Sequence, residues 1–544
     1  EMLRSLVGSE MCIRDSTYPL KDWTSMTETS TAAPRPLLSP DGADAPTGII
    51  ASFRYAFSSP ARIRIEILAG LAVSLALIPE AIAFSILAGV DPAMGLFSSV
   101  VMAIAIAFTG GRPAMITGAT GAIALVIAPV ARGYGMDYFI ATVLLGGVLQ
   151  IVLGALGVAK LQRFIPRSVM LGFVNALGIM IFTAQLEHLI DVPWIVYPLV
   201  GLGVVIMIFF PKLTSVIPAP LVTIIVLTGL VIAAGLTVPT VSDMGKMPET
   251  LPSLFIPNVP WTLETLQIIA PYALAMAVVG LMESLMTAKL VDDLTDTHSD
   301  KTRESLGQGV ANIASGFFGG MGGCAMIGQT MINVRESGAR TRLSTLLAGV
   351  FLLVLVLALG DIVGMIPMAA LVAIMIMVSV GTIDWHSVHP RTLKLMPVSE
   401  TIVMAVTIIA TLATSNLAIG VVLGVVTAMI MFARRMAHIA SIEKVSEIDG
   451  DGDGEIDTRT YRVHGQLFWA SSNDLVYRFD YTDSARHITI DLTEAEIWDA
   501  STVATFDAIT QKFQDRGKTV SIIGLDGPSQ DRLNRLSGRF GTGH

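Results

Sequence analysis

The chain has 544 residues, of which 53% are hydrophobic and only 15% charged, with a mean hydropathy of +0.67. A soluble chain of this size carries roughly 25% charged residues, so a purely soluble enzyme is excluded. The net charge of −9 excludes a nucleic-acid partner, and two cysteines, Cys12 and Cys324, make no disulfide framework.

The N-terminal stretch to residue 60 reads as a disordered tail, rich in Ser, Thr, Pro and Asp from Met26 to Thr47. Residue 1 is Glu, and translation is expected to begin at Met26, with residues 1–25 non-native. From residue 61 to 437 the chain divides into about fourteen apolar segments of the length a bilayer requires. They lie near 65–88, 93–109, 118–131, 138–159, 167–186, 193–210 and 217–236, then 266–290, 304–319, 324–334, 343–360, 365–380, 398–414 and 417–436. A Pro-rich loop, Thr237 to Thr262, separates the two sets of seven, and the third and tenth segments are short.

Cations alternate between loops. With the tail inside, Arg62, Arg112, Lys160, Arg163, Lys212, Lys289, Lys301, Arg303, Arg335, Arg340, Arg342, Arg434 and Arg435 all fall on the inner side. The outer loops hold only Arg132 and Lys246. That bias places both termini in the cytoplasm. Seven spans per half is an odd number, so the halves enter from opposite sides and are expected to form an inverted repeat. Residues 438–544 change to soluble composition, with strand patterns at Thr460–Leu467, Arg486–Leu492 and Thr519–Leu525 and a helical pattern over Ser501–Arg516. This predicts a small α/β domain.

Glu283 is the leading candidate for chemistry. It lies within an apolar segment, where a carboxylate costs several kcal/mol unless protonated, paired or hydrated. It serves a cation or proton site, with Thr287 four residues on, or it is a protonated carboxyl bonded to a neighbouring helix. Glu80, after Pro79, either caps freed backbone or faces a polar gap. Glycine-rich breaks recur about forty residues after each acid, at Thr117–Gly121 and Gly322–Met326. Short helices starting there would aim free N–H groups at one point, an anion site without a basic side chain. The competing reading is that these small residues only allow close packing. The N–H groups of Gly118, Ala119, Thr120, Cys324, Ala325 and Met326 are the expected donors. The acidic run Asp449 to Asp457 imitates an EF-hand loop but has Thr460 where the bidentate Glu belongs. His386 and His389 read as interfacial. No HExxH or CxxC occurs, and no nucleophile–base constellation converges, so an enzyme is not expected.

Gly280 to Thr287, Val291 with Asp292, Gly307 to Asn312 and Gly319 with Gly320 resemble the central signature of the SulP (sulfate permease) family of anion transporters. Leu77 to Glu80, Leu87 to Val90 and Gly95 with Leu96 resemble its first-helix signature, and the C-terminal part resembles a STAS domain. The resemblance implies a seven-plus-seven inverted repeat of core and gate domains, assembled as a homodimer in the plasma membrane. It implies a substrate site between helices three and ten, an anion lined by Phe84, and cation binding at Glu283 beside Thr287. Two departures stand out: Glu80 where many relatives have Gln, and no Arg near Gln329. Asp499 to Thr502 matches only loosely the phosphorylated loop of related regulators. The expected function is secondary transport of sulfate or bicarbonate by proton or sodium symport, with no cofactor. The alternatives are an uncoupled exchanger or channel, a nucleobase or carboxylate carrier, and a membrane-anchored STAS interaction protein. The STAS domain is expected to regulate or assemble the carrier.

Overall fold

The computed structural model describes residues 46–157, 165–213, 218–245, 250–260, 262–437, 440–448 and 457–538. Met26, Cys12, Lys160, Arg163, Lys246 and the acidic run from Asp449 to Ile456 lie outside the described residues. The chain divides into two compact units, Glu1–Val425 and Val426–His544.

The expected apolar segments form helices, except that the third and tenth begin in short strands. After α1 (Ile49–Ala56) come α2 (Pro60–Ala88), α3 (Pro92–Thr109), α4 (Gly121–Tyr134), α5 (Met136–Ala155), α6 (Arg167–Leu186), α7 (Val196–Leu213) and α8 (Ala219–Ala233). The second half holds α9 (Leu263–Thr295), α10 (Lys301–Phe317) and α11 (Ile327–Met331), which a π turn over Ile332–Glu336 prolongs. Then follow α12 (Arg342–Gly364), α13 (Met368–Thr382), the short α14 (Pro390–Leu395), α15 (Val398–Thr414) and α16 (Leu417–Ala437). Among the described residues eight helices are long and apolar enough to cross a membrane, while α4, α8, α13 and α15 are apolar but shorter. The tail expected to reach residue 60 is shorter than that. Its last part forms α1, because Phe53 stacks on Phe108 at 5.7 Å and Ser52 Oγ accepts from the Arg342 N–H at 3.1 Å.

The packing shows the inverted repeat. Helix α2 packs on α12 as α9 packs on α5, and α3 packs on α12 as α10 packs on α5. Helices α3 and α10 also pack on each other. Where the halves exchange, β1 (Thr117–Gly118) pairs antiparallel with β2 (Cys324–Ala325), Gly118 opposite Cys324. One group of helices, α2–α5 with α9–α12, surrounds this strand pair, while α6, α7, α8, α13 and α15 pack among themselves as a second group. Glycines set the close approaches within the first group: a Cβ on Gly147 would meet the Gly309 carbonyl oxygen at 2.8 Å.

Several cations assigned to one side of the bilayer converge. Asp292 binds Arg112 at 2.9 Å and Lys301 at 2.6 Å. The buried Glu304 accepts from the backbone N–H groups of Gly111 (2.7 Å) and Arg112 (3.0 Å). Arg342 donates to the carbonyls of Ala107 and Gly110, and buried Glu66 accepts from the Arg340 and Thr341 N–H groups. These charges therefore tie helix ends together as well as marking a side. His389 caps α14 through Nδ1, and His386 reaches Thr392 at 3.4 Å.

In the C-terminal unit a four-stranded sheet runs in the order β3 (Ser441–Ile448), β4 (Thr458–Leu467), β5 (His487–Ile497) and β6 (Thr519–Ile523). Strands β3 and β4 are antiparallel, and the other pairs are parallel. Helices α17 (Trp469–Ser472), α18 (Leu475–Arg478), α19 (Ala500–Gln514) and α20 (Gly527–Leu536) complete this α/β domain. The helical pattern is the one expected: Val503, Phe506, Ile509 and Phe513 of α19 are all buried against the sheet. Asp483 sits below the usual carboxylate range; its burial opposes this, but the Ala485 N–H and the Arg459 guanidinium outweigh it. Asp491 is held down at about 2 by the Thr493 hydroxyl and N–H, with Arg462 adding to the effect.

Candidate anion site

Two helices shape the break between the halves. From α10, Asn312 grips Gly323 twice, its Oδ1 accepting from the N–H at 2.8 Å and its Nδ2 donating to the carbonyl at 3.0 Å. Gln308 donates to Thr117 Oγ1 at 3.0 Å and to Glu304 at 2.8 Å. From α3, Ser98 donates to the Gly322 carbonyl at 2.9 Å. All of these groups are buried, so each bond offsets a desolvation cost of about 1–3 kcal/mol. Gly323 must be glycine, because a Cβ there would lie 1.8 Å from the Gly118 carbonyl oxygen.

This scaffold uses up most of the N–H groups expected to hold the anion. Ala119 N–H donates to Ser99 Oγ at 3.1 Å, Ala325 N–H to Ser284 Oγ at 3.0 Å, and Met326 N–H to the Ile116 carbonyl at 2.9 Å. With Ile116 and Met326 bonded, antiparallel alternation makes Gly118 and Cys324 the next bonded pair, which takes both of their N–H groups. Of the expected donors only Thr120 stays uncommitted. The free N–H groups therefore lie one step further on, in the first turns of α4 and of α11. Bulky side chains at Ala119 or Ala325, both fully buried, would break the crossing rather than plug a vestibule.

The rest of the predicted set gathers around the α4 terminus. Thr120 is its N-cap, and its Oγ1 accepts from the Ile123 N–H. The Phe84 ring lies over Gly121, where a Cβ would meet it at 2.8 Å and Ile181 of α6 at 3.1 Å. Both helix groups thus reach this point. Glu283 Oε2 accepts from the Cys324 thiol at 2.9 Å, and the same sulfur lies 3.1 Å from Thr120 Oγ1. Thr287 donates back to the Glu283 carbonyl at 2.9 Å, which leaves its oxygen lone pairs available to a cation. Glu80 is not the mirror image of Glu283. Its carboxyl lies near the side chain of Gln329 of α11, across the halves. Sequence reasoning missed that pair, and also Ser99 and Ser284, whose contacts come from segments remote in the chain.

The comparisons with known proteins bear on this arrangement. The model of the sulfate permease family matches residues 63–197 and 191–407. A putative sulfate transporter, YbaR of Bacillus subtilis (strain 168), is 47% identical over 475 residues, covering 87% of this chain and 97% of the relative. The bicarbonate transporter BicA of Picosynechococcus sp. (strain ATCC 27264 / PCC 7002 / PR-6) is 26% identical over 521 residues, covering 87% and 91%. Among solved structures, murine Slc26a9, an anion transporter in its inward-facing state, superposes with a TM-score of 0.75 at 15% identity, covering 96% of this chain and 94% of that one. That likeness is one of fold. The inverted repeat, the strand crossing and the matched sequence agree, and the chain belongs to the sulfate permease family of membrane transporters.

Proposed function

We propose that the protein is a cation-coupled carrier that moves sulfate or bicarbonate across the plasma membrane by alternating access, with proton or sodium as the driving ion. The observation that carries this reading is the Glu283–Cys324–Thr120 contact, which sets an intramembrane carboxyl beside the N-terminus of α4. Free N–H groups and the positive helix end attract an anion there. An ionised carboxylate about 5 Å from that anion would repel it by about 3 kcal/mol at an effective dielectric of about 20. Binding a proton or sodium ion at Glu283 removes the repulsion, so cation and anion bind together and each raises the other's affinity equally. Thr287 Oγ1 offers a second oxygen to sodium. Helices α2–α5 and α9–α12 would carry the site as one body against the second group, in a homodimer with both termini and the STAS domain cytoplasmic. The names of the relatives, a putative sulfate transporter and a bicarbonate transporter, supply the two candidate anions.

Uptake of labelled sulfate and of bicarbonate into proteoliposomes, under imposed proton or sodium gradients, tests this directly. The variant Glu283→Gln should keep anion exchange and lose uphill uptake. If it still concentrates anion at the wild-type rate, Glu283 is not the coupling residue and an uncoupled exchanger becomes the better description.

A further inference from the structure

The Cys324 thiol occupies a position that repulsion between charges does not require. It is fully buried, bridges Glu283 Oε2 (2.9 Å) and Thr120 Oγ1 (3.1 Å), and Thr120 caps the helix whose N-terminus faces the anion. A thiol has one hydrogen to give and lone pairs to accept with, and so has a hydroxyl. The three groups therefore form a chain with two self-consistent directions.

We propose that Cys324 is a positioning residue that reports the cation state of Glu283 to the anion site by reversing this chain. This rests on the coupling reading above and adds a route for it. With Glu283 ionised, the thiol donates to the carboxylate and the Thr120 hydroxyl donates to sulfur. Thr120 then presents only lone pairs at the α4 terminus, which disfavours an anion. With a proton on Glu283, its O–H donates to sulfur, and the thiol hydrogen turns to Thr120 Oγ1. The Thr120 hydroxyl hydrogen is released towards the anion, beside the free N–H groups of Gly121 and Ala122. A sodium ion at Oε2 acts in the same direction, since sulfur then turns its lone pairs to the positive charge. No covalent bond breaks; two hydrogens rotate, and the one added proton or sodium ion comes from solution.

The surroundings leave this chain undisturbed. On α9 itself Lys289 pairs with Asp293, and Asp292 with Arg112. On the helices packed against α9, the other charged groups stand at segment ends: Arg132 in α4, Asp137 in α5, Lys301, Arg303 and Glu304 in α10, and Arg335 and Glu336 after α11. Glu80 lies near Gln329, in the other half.

The test is sulfate binding, with bicarbonate in parallel, to the full-length protein in lipid nanodiscs, at acid and alkaline pH and with sodium or choline. Wild type should bind its anion about a hundredfold more tightly when Glu283 holds a cation, within the usual range for coupled sites. Cys324→Ser keeps a donor and an acceptor and should preserve most of that swing. Cys324→Ala breaks the chain and should cut that swing about fivefold, leaving only the direct repulsion between charges. Thr120→Val should do the same while Thr120→Ser does not, which covers the case of a poorly folded Cys324→Ala. If Cys324→Ala and Thr120→Val keep the full swing while Glu283→Gln loses it, the relay is wrong and coupling is direct repulsion. A swing that survives in Glu283→Gln as well, or is missing from wild type, overturns the coupling reading beneath it.

Discussion

The two helices that begin at the break are counterparts by position but are finished differently. Helix α4 runs 14 residues from a fully buried start, capped by Thr120 and covered by Phe84. Helix α11 has 5 residues, no side-chain cap, and passes at once into a π turn. Its Gly328 is exposed, and a Cβ added there would meet nothing within 4 Å. The inverted repeat supplies the same element twice, one copy capped and covered and the other open. π turns of this kind recur at functional sites. On the proposed reading the α4 side holds the anion and the α11 side admits it.

The largest expected effect sets the closed side of the crossing against the open one. Gly323→Ala drives a methyl into the Gly118 carbonyl, which cannot yield without opening the strand pair. We expect a loss above about 3 kcal/mol, read as a collapse of the monodisperse peak in size-exclusion chromatography. Gly328→Ala should fold normally yet weaken anion binding measured calorimetrically, because the methyl enters the open face of α11. Equal tolerance of both substitutions would dissolve the contrast. Next in size is Asn312→Leu, which strips both bonds from Gly323 and leaves its buried N–H and carbonyl unpaired. A cost of about 2–4 kcal/mol follows, visible as a lower melting temperature with the anion absent.

The two acids sharpen the same comparison. Glu80 lies near the Gln329 amide and away from the Cys324–Thr120 contact, so in Glu80→Gln the cation dependence of transport should change far less than in Glu283→Gln. A matching loss in both variants would restore Glu80 as a true twin. The smallest effect lies in the C-terminal domain. Asp491 is held at about 2 against an ordinary 3.8, so its contribution to stability is complete above about pH 4 and fades as pH falls towards 2. Asp491→Asn should flatten that part of the acid-unfolding curve followed by tryptophan fluorescence and leave the slope near neutrality unchanged.

The sequence made the helices legible because a bilayer demands long apolar runs, and each run it marked contains a helix. It also located the break, since Thr117–Gly121 and Gly322–Met326 are too rich in small residues to continue a helix. What it did not reveal was which N–H groups stay free. Ser99 and Ser284 take those of Ala119 and Ala325 across space, and no local pattern near either strand announces them. The same holds for Glu80 and Gln329, whose pairing needs the two halves to interleave. Strand β3 escaped notice because its charged and apolar residues do not alternate cleanly, as suits an edge strand. Helix α1 escaped because its anchors, Phe108 and Arg342, are distant in the chain.

The strand pair also bears on how the protein is made. Gly118 and Cys324 belong to opposite halves, so when the first half leaves the ribosome its break has no partner strand. Its carbonyl and N–H groups then sit at membrane depth unsatisfied, a state the bilayer penalises by several kcal/mol per group. Insertion of the second half as far as β2 supplies the missing partners. Changes that slow synthesis of the second half should therefore lower yield without touching the finished protein.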